Sequence, residues 1–203
     1  RFLLTATLLP CMALAADKKK PEPGPLLSLE RIYVKNEFSS KGYSLKWLEP
    51  GQGYVRLEKS KETKDAQDIV QYDPATGKKK ILVAAKALIP KKAKKPIKLS
   101  GYTFTKDLAK MLIYTNSKRV WRRNTRGDYW VLDLASGKLQ KLGGKAKAST
   151  LMFAKFSPAN SNQVAYVREK NIYVEDLKSG KIRSLAKRSS NTVINGTFHW
   201  VYE

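Results

Sequence analysis

The sequence predicts an all-β fold, the first three four-stranded blades of a β-propeller, on two observations. The first is a turn that occurs three times: Tyr72-Asp73-Pro74-Ala75-Thr76-Gly77-Lys78, Leu132-Asp133-Leu134-Ala135-Ser136-Gly137-Lys138 and Glu175-Asp176-Leu177-Lys178-Ser179-Gly180-Lys181. Each copy reads Asp-x-x-Ser/Thr-Gly-Lys. The Asp can accept hydrogen bonds from backbone amides of its own turn, and the Gly can take the positive φ that closes a short hairpin. The second is that alternating β-branched or aromatic residues flank every copy, with two further strand-like runs upstream. Four antiparallel strands recurring every ~40 to 60 residues is what a propeller blade requires, since each small sheet buries its faces only against its neighbours.

The elements follow in chain order. Residues Phe2 to Leu14 form an apolar run behind one positive charge, shorter than the ~20 residues of a membrane span. Ala13-Leu14-Ala15 supplies the small-x-small pattern of a signal peptidase site, so residues 1–15 read as a signal peptide and the protein as exported, periplasmic or extracellular, with no membrane span. The competing reading is a buried N-terminal helix, against which stand Pro10 in mid-run and the abrupt Asp17-Lys18-Lys19-Lys20-Pro21. Residues 16–42 read as a short N-terminal segment and residues 43–203 as partial propeller.

The first blade takes Tyr43 to Glu49, Gly53 to Glu58, Asp68 to Asp73 and Lys78 to Val83. The second takes Tyr102 to Lys106, Lys110 to Thr115, Asp128 to Asp133 and Lys138 to Leu142. The third takes Leu151 to Phe156, Gln163 to Arg168, Asn171 to Asp176 and Lys181 to Leu185, and Thr192 to Tyr202 begins a fourth. No long stretch shows a 3.6-residue period, and runs such as Ile172-Tyr173-Val174 suit strands sandwiched between blades. A sandwich or barrel is the alternative arrangement. Three blades cannot close a ring, and the chain starts at Arg1 and stops inside Phe198-His199-Trp200-Val201-Tyr202, so a piece of a longer protein is expected.

Charge and composition exclude several chemistries. The single cysteine, Cys11, lies in the leader, and His199 is the single histidine, so disulfides, thiolate metal sites and His-rich metal sites are not expected, nor is any cofactor. Forty Lys plus Arg against seventeen Asp plus Glu give +23. The runs Lys18 to Lys20, Lys78 to Lys80 and Lys91 to Lys95 sit beside Pro or Gly in loops, which reads as a solvated surface rather than a nucleic-acid patch.

One blade departs from the minimum. Its second and third strands are joined by residues 116–127, whereas the third blade uses only Glu169-Lys170. The long link gathers Arg119, Arg122, Arg123 and Arg126 around Trp121. A guanidinium fork can hold a carbonyl or carboxylate oxygen while an indole fixes orientation by stacking. An extended, solvated basic hairpin is the plainer reading.

Several of these segments carry a family likeness. Tyr43-Ser-Leu-Lys-Trp47, Tyr114 to Arg122, Phe156-Ser-Pro158 with Val164 to Val167, Asn171 to Val174 and Asn195 to Glu203 resemble the N-terminal region of dipeptidyl peptidase IV enzymes, in the prolyl oligopeptidase group of serine peptidases. The resemblance implies an eight-bladed propeller followed by an α/β-hydrolase domain, and an enzyme that releases X-Pro or X-Ala dipeptides from peptides with a free amino terminus and pairs as a homodimer when full-length. It further implies that Arg122 contacts the substrate backbone carbonyl, beside Trp121, and that Glu203 opens the run whose later two glutamates grip the substrate amine. His199 stands where the family has Asp. No Gly-x-Ser-x-Gly elbow occurs and His199 is the sole imidazole, so no catalytic triad is expected within the chain. Two alternatives stay open: a non-enzymatic exported propeller binding a partner or anionic polymer, and a hydrolase of the same group with endopeptidase or acylaminoacyl specificity.

Overall fold

A computed structural model describes residues 26–40, 42, 44–186 and 189–198, and the chain divides into two compact units, Arg1–Tyr43 and Ser44–Glu203. The predicted leader lies outside the described residues. In the first unit a π-helical turn, Glu30–Val34, is closed by the Lys35 N–H donating to the Glu30 carbonyl (2.9 Å). Arg31 pairs with Glu37 at 2.7 Å and lies 5.1 Å from the centre of the Phe38 ring. No helix among the described residues is long and apolar enough to cross a membrane.

Among its described residues the second unit holds three successive four-stranded antiparallel blades. Blade 1 has β1 (Lys46–Trp47), β2 (Tyr54–Lys59), β3 (Gln67–Tyr72) and β4 (Lys79–Val83), in the spatial order β1-β2-β3-β4. Blade 2 has β5 (Gly101–Phe104), β6 (Lys110–Lys118), β7 (Arg126–Asp133) and β8 (Leu139–Lys141), again paired in sequence order. Blade 3 follows with β9 (Leu151–Phe156), β10 (Gln163–Arg168), β11 (Asn171–Asp176) and β12 (Ile182–Ala186). The first predicted strand is much shorter than expected, because Glu49-Pro50-Gly51 turns the chain at its end. A 3-10 turn, Ala85–Leu88, joins blades 1 and 2 and buries Ala85 and Leu88.

The repeated turn performs the same task three times. Asp73, Asp133 and Asp176 each accept hydrogen bonds from the amides of their own turns: Ala75 N–H at 2.9 Å, Ser136 N–H at 2.9 Å and Ser179 N–H at 2.8 Å. Gly77, Gly137 and Gly180 stand at φ 68°, 67° and 70°, the left-handed region a side chain would disfavour. These bonds hold all three carboxyls below the usual carboxylate range, chiefly through the Thr76 hydroxyl for Asp73 and the backbone amides of Ser136 and Ser179 for the others. A carboxyl whose pKa falls on folding contributes stability above its unfolded pKa of about 3.9, and that contribution is lost as pH drops through the lower folded value. The urea midpoint of the wild-type chain is therefore expected to fall more steeply below about pH 4 than that of Asp73→Asn/Asp133→Asn/Asp176→Asn. Parallel pH profiles would show that the three turns do not set the acid limit.

Blade 2 is buried on both faces, which explains its continuous apolar run Met111-Leu112-Ile113. Met111 and Ile113 join Val55, Ile69, Val83, Leu88 and Leu132 in a core against blade 1. Leu112 points the other way, with Tyr129, Val131, Leu142, Leu151, Val164, Tyr166 and Leu177, against blade 3. Alternate residues of one strand thus fill two separate cores, so neither blade boundary forms without the middle sheet. Glu175 adds a polar tie inside the second core. Its Oε2 accepts from the Gly143 N–H (2.9 Å) and the Tyr166 hydroxyl (3.1 Å), and burial pushes the Tyr166 hydroxyl well up.

Candidate functional site

The long link of blade 2 is a built hairpin rather than a loose loop. Its strands extend past the predicted limits, with Lys118 opposite Arg126 and a register shift between Thr115 and Lys118. Asn116, at φ 47°, supplies the turn of the backbone at that shift. Beyond the ladder the Val120 N–H donates to the Arg123 carbonyl at 3.0 Å, leaving Trp121 and Arg122 at the apex. Arg119 Nε donates to the Trp121 carbonyl at 2.9 Å. Trp121 is 59% exposed, and Arg122 is exposed beside it.

Three features stand out among the contacts that hold the hairpin onto the blade. Tyr114 lies flat across Gly127, where a Cβ would stand 2.3 Å from Tyr114 Cε2 and 2.7 Å from the Thr115 carbonyl oxygen. From there its hydroxyl reaches the carbonyls of Asn124 (2.6 Å) and Arg126 (2.8 Å), sharing one proton between them. Burial raises its pKa, so it remains a donor. Buried Asp128 is the second anchor: Oδ1 accepts from the Ser149 N–H (3.0 Å) and lies 3.2 Å from Lys141 Nζ, while Oδ2 accepts from Asn116 Nδ2 (2.8 Å). Burial alone would raise the Asp128 pKa, but the bonds from Asn116, Ser149 and Lys141 outweigh it and leave the carboxyl below its ordinary range. The third is pairing to blade 3, where Arg126 and Gly127 lie opposite Met152 and Leu151.

Trp121 and Arg122, neighbours in the chain, thus stand together at the apex. Glu203, the remaining predicted substrate contact, lies outside the described residues, as do His199 and Trp200. The segment before them is placed: the Asn195 N–H donates to the Lys170 carbonyl (3.1 Å), and Gly196 packs so closely that a Cβ would meet Val167 Cγ2 at 2.6 Å.

Asp128 is the residue the sequence reading passed over. It has a counterpart in blade 1, where buried Asp68 accepts from the Ala85 N–H at 2.7 Å. Both precede a turn aspartate by five residues, Asp68 before Asp73 and Asp128 before Asp133, and Asn171 holds that position before Asp176. Each of these carboxylates caps the segment leaving its blade, so the spacing was a readable signal of how blades are chained together.

The chain's likeness to known proteins follows the same region. Residues 105–203 match the family model of the dipeptidyl peptidase IV (DPP IV) N-terminal region. A dipeptidyl aminopeptidase B of Saccharomyces cerevisiae is 38% identical over 52% of the chain and 12% of its own length. A probable dipeptidyl-aminopeptidase B of Neosartorya fischeri is 30% identical over 75% of the chain and 16% of its own length. The crystal structure of Porphyromonas gingivalis dipeptidyl peptidase 4 superposes with a TM-score of 0.67 at 22% identity, covering 87% of this chain and 24% of that one, which establishes the shared propeller fold. The chain therefore spans between 12% and 16% of the length of these two curated relatives. With three blades in order and the family model matched over residues 105–203, this part of the chain is a dipeptidyl peptidase IV family N-terminal region.

Proposed function

We propose that this chain is the substrate-orienting part of an exported serine dipeptidyl peptidase that releases X-Pro or X-Ala dipeptides from peptides with a free amino terminus. The observation that carries the reading is the anchored apex, which presents Trp121 and Arg122 on the propeller of a peptidase family. Arg122 donates to a substrate backbone carbonyl, Trp121 limits how the peptide turns, and Glu203 begins the acidic run that meets the amine. A guanidinium held by a braced hairpin loses less freedom on binding than one on a loose loop. Residues 1–15 direct export, residues 16–42 form a connecting segment, and residues 43–203 contribute propeller. The nucleophilic serine and its Asp and His partners belong to an α/β-hydrolase domain of the same polypeptide, and two such polypeptides pair as a homodimer. The 203-residue chain by itself is inactive, needs no cofactor and takes no nucleic acid.

The test compares an Ala-Pro peptide with its N-acetylated form, using the polypeptide that includes the hydrolase domain. Acetylation removes the ammonium and its charge-assisted bonds, so dipeptide release is expected to fall by about 100-fold. Equal cleavage of both would favour endopeptidase or acylaminoacyl specificity. Absence of any cleavage, with retention on anionic glycan that survives physiological salt, would favour the non-enzymatic binding propeller.

A further inference from the structure

Among the described segments that connect the strands, positive charge is concentrated at one end of the blades. In each antiparallel sheet the first strand starts, the second ends, the third starts and the fourth ends at the same side. The segments between blades and the link between second and third strands therefore share one end. Blades 1 and 2 are aligned alike, since Gln52 Nε2 in the first turn of one donates to the Lys106 carbonyl in the first turn of the other (2.9 Å). At the end that bears the hairpin, segment 84–100 holds six lysines (Lys86, Lys91, Lys92, Lys94, Lys95, Lys98), segment 116–127 holds five Lys or Arg and segment 142–150 holds two. None of the three contains an Asp or Glu, and every one of these cations is exposed. The other links at this end, 60–66 and 169–170, are each neutral.

The opposite end is closer to balance: its turns carry Glu49, Asp73, Asp107, Asp133 and Asp176 against five lysines, with Lys79 and Lys80 next in β4. Charge serving solubility alone has no reason to mix signs at one end and exclude acids from the long segments of the other. Exposed like charges within a Debye length of about 10 Å repel one another, so their clustering costs stability unless an anion relieves it.

We infer that the hairpin-bearing end is a binding face for acidic peptides, which prefers substrates carrying Asp or Glu beyond the residues held at Trp121 and Arg122. The inference rests on the proposed function, because a peptide held at the apex continues across the neighbouring segments 84–100 and 142–150. The hairpin arginines other than Arg122 match carboxylates through paired N–H donors, and the lysines add a field that draws any carboxylate on the extended chain.

The experiment measures fluorescence anisotropy of the 203-residue chain with two C-terminally labelled peptides, Ala-Pro followed by three Glu or by three Ser, alongside inorganic polyphosphate as competitor. The Glu peptide is expected to bind at least about tenfold more tightly at about 20 mM salt, the gap narrowing several-fold at about 0.5 M. Lys91→Gln/Lys92→Gln/Lys94→Gln/Lys95→Gln, all on an exposed segment, should close most of the gap and leave the Ser peptide unchanged. Equal binding of the two peptides, or a gap untouched by the four substitutions, overturns the inference. So does polyphosphate binding that the substitutions weaken while the two peptides remain indistinguishable, which would assign the face to a polyanion. Arg122→Ala separates the two readings: it should weaken both peptides alike, and if it weakens neither while the gap persists, the role of Arg122 fails and the acidic preference stands.

Discussion

Asp128→Ala is expected to lower the stability of the chain by about 2–4 kcal/mol. The substitution removes one carboxylate and strands three donors, the Ser149 amide, the Asn116 side-chain amide and the Lys141 ammonium. Ser149 is itself buried, so its N–H finds no ready replacement in water. Lys141 is the least affected, being exposed enough to hydrate. Asp128→Asn keeps the shape and one acceptor, so its loss should be about half as large. The difference is pH-dependent with a definite sign: the folded carboxyl titrates below its ordinary range, so its advantage over Asn is present near neutrality and disappears as pH falls through the folded pKa. Urea midpoints at neutral and acid pH measure this directly. A loss under about 0.5 kcal/mol for Asp128→Ala would mean that the hairpin is held by its other contacts, among them Tyr114, the pairing to β9 and the Ser149 hydroxyl on the Asn116 carbonyl.

The consequence reaches the apex. Asp128 fixes Asn116 where the ladder shifts register, and Tyr114 fixes the carbonyls of Asn124 and Arg126 a few residues from Arg122. A substitution at either anchor should loosen Trp121 and Arg122 without touching them.

Much of the fold was legible because its signals are local. The Asp-x-x-Ser/Thr-Gly-Lys turn works within six residues, through bonds that Asp73, Asp133 and Asp176 make to their own backbone, and each copy folds as read. The two-residue link Glu169-Lys170 is equally local, both residues taking positive φ of 51° and 62° in place of the usual Gly or Asn. The extent of the hairpin was less legible. Residues 116–118 and Arg126 are polar and basic, a pattern that reads as loop, yet pairing to β9 and the ring of Tyr114 over Gly127 draw them into the sheet. Asp128 and Asp68 were missed for the same reason. Their partners, Ser149 and Ala85, are brought close only by the chaining of blades, though the five-residue offset to the turn aspartate repeats in the sequence. Charge polarity was hidden because the cationic segments are far apart along the chain and converge only when strand direction is known.

If the braced apex holds substrate through Arg122, as proposed, the direct measure of that hold is kcat/KM for an Ala-Pro substrate, in the polypeptide that includes the proposed hydrolase domain, with Arg122→Ala set beside Arg123→Ala. The two residues are adjacent, equally charged and both exposed, so general electrostatic attraction predicts equal effects. Loss of a charge-assisted hydrogen bond to the substrate carbonyl predicts a fall of about 10- to 100-fold for Arg122→Ala and less than about threefold for Arg123→Ala. Equal values for the two variants would remove the role of Arg122 in holding substrate.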